Sequence, residues 1–173
     1  MTDPLGQSQV ISYLLPLSKQ GHEFHLISFE KKENESQIPF IKQLLYGYAI
    51  QWHPITYHKN PPVVSTVFDL WLMYRKALKI IHDNKIDFIH SRSYPPSLVA
   101  LFLKKRKKIP FIFDMRGFWA DERVEGNLWK LSNPIFRIIY RYFKKKEKEL
   151  LTKSDAVVSL TENAKQWMLK EWL

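Results

Sequence analysis

The densest run of chemically capable side chains is FDMRGFWADERVEG, residues 113–126. Asp114, Asp121, Glu122 and Glu125 stand there with Arg116 and Arg123, and Phe118 and Trp119 add two ring faces. Carboxylates and guanidiniums in one short segment suit bidentate binding of a polar ligand, with one carboxylate free to act as a base. The rings suit stacking on a sugar or a base. The competing reading is a solvated loop closed by its own ion pairs, and spacing alone does not separate the two. A second constellation is HSRS, residues 90–93, where His90, Arg92 and two hydroxyls, Ser91 and Ser93, follow an apolar run. The plainer reading there is a structural histidine and an exposed arginine.

Three further features are weaker. DPLGQSQV, residues 3–10, places Gly6, Gln7 and Ser8 before a helical pattern, and the free N–H groups of a helix start accept phosphate. It is neither GxGxxG nor a Gly-Lys-Ser/Thr loop, and an ordinary helix cap by Ser8 explains it as well. The basic runs KKRKK (104–108) and KKKEK (144–148) suit anionic lipid or nucleic acid, against the reading of solvated helix ends. Aromatic residues are not interleaved with these charges as a single-strand binder requires, so no specific nucleic-acid binding is expected. The six histidines show no metal-ligand spacing and read as surface imidazoles, and no GxSxG elbow occurs.

These residues need elements to position them. Helical periodicity covers Val10–Lys19, Gln37–Tyr46, Thr66–Asn84, Pro95–Lys107, Pro134–Lys153 and Thr161–Trp172. Strand-like runs cover Phe24–Phe29, Ala49–Tyr57, Ile86–His90, Pro110–Asp114 and Ala156–Leu160. Pro54 marks the second of these as an edge. Residues 115–133 read as a long polar-aromatic loop. Strands alternating with helices of ten to twenty residues imply crossover units and a parallel sheet covered by helices. In such sheets ligands sit at the carboxyl ends of strands, where His90–Ser93, Asp114–Gly117 and Thr161–Asn163 fall.

Composition narrows the classes. The chain has 173 residues, 45% hydrophobic and 14% aromatic, which suits one domain with a sizeable core and excludes a disordered or low-complexity chain. The absence of cysteine excludes disulfides, thiolate metal sites and cysteine nucleophiles. The net charge of +10 favours anionic surfaces and phosphate-bearing ligands. No apolar run is long enough to span a bilayer, and MTDPLGQSQV is not a secretory leader, so any membrane contact is peripheral.

Taken in order, DPLGQSQV, KQGHEFHLISFE (19–30), DFIHSRSYPPSLVA (87–100), PFIFDMRGFWADERVEG (110–126) and KKKEKELLTKSDAVVSLTENAK (144–165) resemble the N-terminal half of family 4 glycosyltransferases of the GT-B fold. The resemblance spans nearly the whole chain, and the order of the motifs is more specific than any one of them. It implies a single Rossmann-like α/β domain over residues 1–173, a parallel sheet flanked by helices, that binds the acceptor. A second domain, carrying a Glu-x7-Glu type motif, would bind the nucleotide-sugar donor. No cofactor or metal is implied. The acceptor would be a glycan or a lipid-linked sugar, and the expected location is cytoplasmic, on the inner face of an anionic membrane.

By position, the resemblance places Gly6, Gln7 and Ser8 in the loop that approaches the donor phosphates. Arg116 stands where many relatives carry a histidine at the reaction centre, which leaves Asp114 as a candidate polar or basic group. His90, Arg92, Ser93, Trp119 and Glu122 fall on the acceptor side, and Thr161 and Glu162 near the cleft between domains. The first strand of the family pattern would precede DPLGQSQV. In the order 3-2-1-4-5-6 it is central, so its omission would leave open ladder edges. The expectation is a fragment that does not transfer sugar alone. The rival is a non-catalytic basic module on anionic lipid or nucleic acid, whose binding would fall steeply with salt and ignore sugars.

Overall fold

The computed structural model describes residues 1–61 and 63–171. The chain folds as two compact units, Met1–Asn84 and Lys85–Leu173, each with its own parallel sheet.

In the first unit the chain becomes helical earlier than the periodicity predicts. Pro4–Gly6 forms a first turn, α1, followed by a wide π-type segment at Gln7–Ile11 and by α2, Ser12–Lys19. Strand β1, Phe24–Glu30, pairs in parallel with β2, Ile50–Thr56. A short 3₁₀ segment, Lys32–Gln37, and helix α3, Ile38–Leu44, connect them. Helix α4, Val64–Asp83, closes the unit. Pro54 sits on an edge as expected, because among the described residues β2 pairs with β1 alone. The core gathers Ile11, Ile41, Leu45 and Ile50, with Leu26 and Trp52 packed against it. At the end of β1, Glu30 is buried and accepts hydrogen bonds from the Thr2 amide (2.9 Å), the Thr2 hydroxyl and Ser28 (both 2.5 Å).

The second unit carries the richer sheet. Strands β3, Ile89–Arg92, β4, Phe111–Met115, and β5, Ala156–Ser159, run parallel in the order β3-β4-β5. Helix α5, Tyr94–Lys107, enters through the two prolines and ends in a basic turn. Such an end suits the negative pole of the helix dipole. Helix α7, Pro134–Lys153, starts at Pro134 under an Asn133 cap whose side chain accepts from the Ile135 amide. Helix α8, Glu162–Glu171, is capped by Thr161, whose hydroxyl accepts from the Ala164 amide at 3.1 Å.

Between α5 and α7 the sequence reading needs correcting. Residues 115–133 are not a continuous loop, because Trp119–Glu125 forms helix α6. Its first turn is acidic, with Asp121 and Glu122, and good helix formers follow until Gly126 stops it. The core of this unit is built on Tyr94, Phe111, Phe113, Met115, Leu150 and Leu151.

The strands therefore fall in two sheets. β1 and β3 each end their sheet, with no second partner strand among the described residues.

Candidate functional site

A cavity of about 590 Å³ opens at the carboxyl ends of β4 and β5. Its charged lining is Arg116, Asp121, Glu122, Glu125 and Lys144, and Trp167 and Phe118 supply apolar walls. The two rings meet edge to face with centroids 4.9 Å apart. Parallel α/β sheets place ligands at this end because the strand-to-helix loops converge there. Arg116 comes from the turn after β4, Thr161 from the turn after β5, and the carboxylates from α6.

Gly117 lets the chain turn into α6. Its φ of +132° is open only to glycine at low cost, and a Cβ there would stand 2.0 Å from Glu122 Oε1. The Glu122 carboxylate thus lies directly over the glycine, held at the cavity wall.

Behind Arg116 stands Asp114, 3% exposed. His90 Nε2 lies 3.6 Å from its Oδ2, and Arg116 Nη1 lies 3.6 Å from its Oδ1. Burial opposes ionisation of this carboxyl. The His90 contact and the positive charges of Arg116 and Arg92 outweigh burial and hold its pKa below the usual aspartate value. Asp114 is therefore a fixed anion that anchors a histidine and a guanidinium at the strand ends. Ser93 follows β3 with φ 68° and ψ 174°, a conformation that strains any residue but glycine, and its carbonyl accepts from Ser97 at 2.6 Å.

A polar network runs from the cavity wall into the core. Lys144 donates to Asp121 Oδ2 at 2.8 Å and to Glu147 Oε1 at 2.5 Å. Tyr140 donates to Asp121 Oδ1 at 2.7 Å, and Tyr94 donates to Glu147 Oε2. Glu147 and Tyr94 are both fully buried. Burial, reinforced by Glu147, drives the Tyr94 hydroxyl pKa far above its ordinary value. For Lys144 burial acts against the charge, but its two carboxylate partners outweigh it and raise its pKa.

The residues expected from sequence divide accordingly. Arg116 and Glu122 line the cavity. Asp114, paired with Arg116 and with His90 Nε2 3.6 Å away, lies behind it, with Arg92 and Ser93 at the end of β3. Trp119 does not line the cavity. It packs at 6.1 Å on Tyr94 and at 4.7 Å, edge to face, on Phe143, with Arg123 over its ring. Gly6, Gln7 and Ser8 belong to the first unit, in helical turns rather than in an open loop. The Gly6 amide donates to Asp3 Oδ1 at 2.9 Å, so Asp3 caps this helix and not Ser8, whose hydroxyl donates to the Pro4 carbonyl. The histidines are not all surface imidazoles either: His25 and His53, on neighbouring strands, are half-buried with ring nitrogens 3.2 Å apart.

Sequence reasoning missed Lys144 and Trp167. Lys144 was hidden inside KKKEK, read as a solvated run. Its spacing of three from Glu147 and its place one helical turn from Tyr140 are the signals that distinguish it.

Parallel strands, flanking helices and a polar cavity at the strand ends define an α/β domain of the Rossmann-like class. The sequence profile of Glycosyltransferase Family 4 matches residues 6–172, and the chain belongs to that family. No curated protein matches the chain.

Proposed function

We propose that this domain binds the sugar acceptor of a glycosyl transfer in the cavity between β4, β5 and α6. The observation that carries the reading is the pairing of carboxylates with ring faces in one cavity at the strand ends of a family 4 domain. Glu122 and Glu125 suit acceptance of sugar hydroxyls, and Trp167 suits stacking on the apolar face of a pyranose. In the transfer an acceptor hydroxyl oxygen bonds to the anomeric carbon of a nucleotide-sugar. The bond from that carbon to the diphosphate breaks, the nucleoside diphosphate leaves, and the hydroxyl proton passes to a base. Arg116 is placed to meet negative charge at the reaction centre, with Asp114 fixing its position and that of His90. Asp114, held ionised by its cationic neighbours, serves as the positioning carboxylate. The donor is held by a donor-binding domain, and residues 1–173 alone do not turn over a nucleotide-sugar. The acceptor is a glycan or a lipid-linked sugar.

Saturation-transfer NMR with methyl glycosides of glucose, galactose, mannose and N-acetylglucosamine tests the site. Transfer to at least one glycoside is expected, with loss in Trp167→Ala and a marked reduction in Glu122→Gln. Equal transfer in both variants and the parent, or none to any glycoside, overturns the assignment. Release of nucleoside diphosphate from uridine- or guanosine-diphosphate sugars by residues 1–173 would refute the need for a donor domain.

A further inference from the structure

Helix α7 has two faces of opposite use. Phe143, Glu147, Leu150 and Leu151 point inward and are buried. At 100° per residue Ile135, Ile138 and Tyr142, spaced by three and four, form one stripe on the outward side next to the buried face, and they are 60%, 68% and 46% exposed. Large apolar side chains scattered singly over a surface are ordinary, but three on one stripe of one helix are not. Arg137, Arg141, Lys145 and Lys148 share this outward half, against one carboxylate, Glu149. Glu149 is already neutralised, with Lys105 at 2.5 Å and Lys146 at 2.6 Å. Lys146 also lies over the Tyr142 ring at 5.8 Å.

The basic end of α5 extends the same surface. Lys104 donates to the Lys153 carbonyl at 2.9 Å, and Lys105 pairs with Glu149, so the 104–108 run lies against the C-terminal half of α7. Phe102, 46% exposed with Arg106 over its ring, repeats the mixture of an aromatic and a cation.

We infer that the outward face of α7 docks on an anionic lipid bilayer, lying in the interface with Ile135, Ile138 and Tyr142 inserted. Charge complementarity selects this occupant. Long cations bordering an apolar stripe reach the headgroup phosphates while their stems stay beside the acyl chains. Basic amphipathic helices bind anionic bilayers by summing buried apolar area and attraction to the headgroups. Nucleic acid would use the cations but gain nothing from two isoleucines. Helix α4 is the internal contrast. Val64, Val67, Phe68 and Trp71 form an exposed apolar stripe there, but the helix carries Arg75, Lys76 and Lys79 against Asp69 and Asp83, a slender excess of charge. The same helix α7 supplies Lys144 to the cavity; resting on the acceptor reading proposed above, docking would bring that cavity to a membrane-bound acceptor.

Co-sedimentation with sucrose-loaded vesicles tests the inference. The vesicles are phosphatidylcholine with about one third phosphatidylglycerol, or phosphatidylcholine alone, at low and high salt. The parent is expected to bind the anionic vesicles at low salt and not the neutral ones. Ile135→Ser with Ile138→Ser should lower partitioning about tenfold or more. Arg141→Gln and Lys145→Gln should each lower it about fivefold. Trp71→Ser on α4 should bind like the parent. All these side chains are exposed, and unchanged near-ultraviolet circular dichroism verifies the fold of each variant. Failure of the parent to bind anionic vesicles overturns the inference, as does parental binding by the double isoleucine variant or loss confined to Trp71→Ser. Concentration-dependent dimerisation abolished by Ile138→Ser would assign the face to a second copy and also overturn it. None of these readouts depends on glycoside binding.

Discussion

Lys144→Met and Glu147→Gln delete the same ion pair, yet the structure predicts different costs. Glu147 is fully buried, and its carboxylate has two partners, Lys144 Nζ at 2.5 Å and the Tyr94 hydroxyl. In Lys144→Met the carboxylate loses the cation paired with it and cannot reach water. Removing one member of a buried pair costs about 3–5 kcal/mol. The other partner of Lys144, Asp121, adds little, because it keeps Tyr140 at 2.7 Å and its side chain is 31% exposed. Glu147→Gln leaves Lys144 with Asp121 at 2.8 Å and with water, because the Lys144 side chain is 27% exposed. The glutamine oxygen still accepts from Tyr94. That loss is one charge-assisted bond weakened to a neutral one, about 1 kcal/mol. The expected difference between the two variants is therefore about 2–4 kcal/mol. At a urea dependence of about 2 kcal/mol per molar, the midpoint of Lys144→Met falls about 1–2 M below that of Glu147→Gln. Urea titration followed by fluorescence is the assay, since Trp119 and Trp129 pack against the same core as Tyr94. The triple variant Tyr94→Phe, Glu147→Leu, Lys144→Met should recover most of the loss, because a well-packed apolar replacement of a buried pair is close to neutral. Equal midpoints for Lys144→Met and Glu147→Gln would refute the claim that Glu147 is sealed from water.

Two further expectations concern the cavity turn and the surface. Gly117→Ala meets both an unfavourable φ of +132° and the Glu122 carboxylate, so it should cost about 1–2 kcal/mol and displace Glu122. Thermal unfolding reads the first effect, and glycoside saturation transfer falling as in Glu122→Gln reads the second. The two lysines on Glu149 hold its pKa at about 2, below the ordinary 4.5. Because the folded value is the lower one, this stabilisation is complete above about pH 4.5 and is lost as the pH falls toward 2. Its partly exposed setting limits the effect to about 1 kcal/mol. Glu149→Gln should therefore show a smaller loss of stability between pH 5 and pH 3 than the parent, measured by urea midpoints.

Much of the second unit was legible before folding. PFIFD had to be a buried strand and YPPSLVALFLKKRK a helix entered through its prolines, because local backbone rules and apolar periods act over a few residues. The family pattern was equally legible, since it resides in the order of motifs along the chain. Helix α6 was not. Seven residues flanked by glycines give too short a period to stand out, and the helix exists because Ala120 is buried in the core. Glu147 shows the same limit more sharply. It lies four residues after Phe143 and three before Leu150, inside the apolar stripe of α7, yet a glutamate within KKKEKE reads as solvated. Only the arrival of Tyr94 from α5 and the reach of Lys144 make burial of that charge tolerable. Trp119 was misjudged for the opposite reason: an aromatic ring suits a ligand or a core equally well, and Tyr94 and Phe143 decide which.

The sequence by itself therefore determined most of the element types, the parallel α/β class and the family, because these follow from local backbone preference and linear order. Tertiary structure alone decided which charges face the cavity, which is buried, which ring is core and which face of α7 stays uncovered, because each depends on partners distant in sequence.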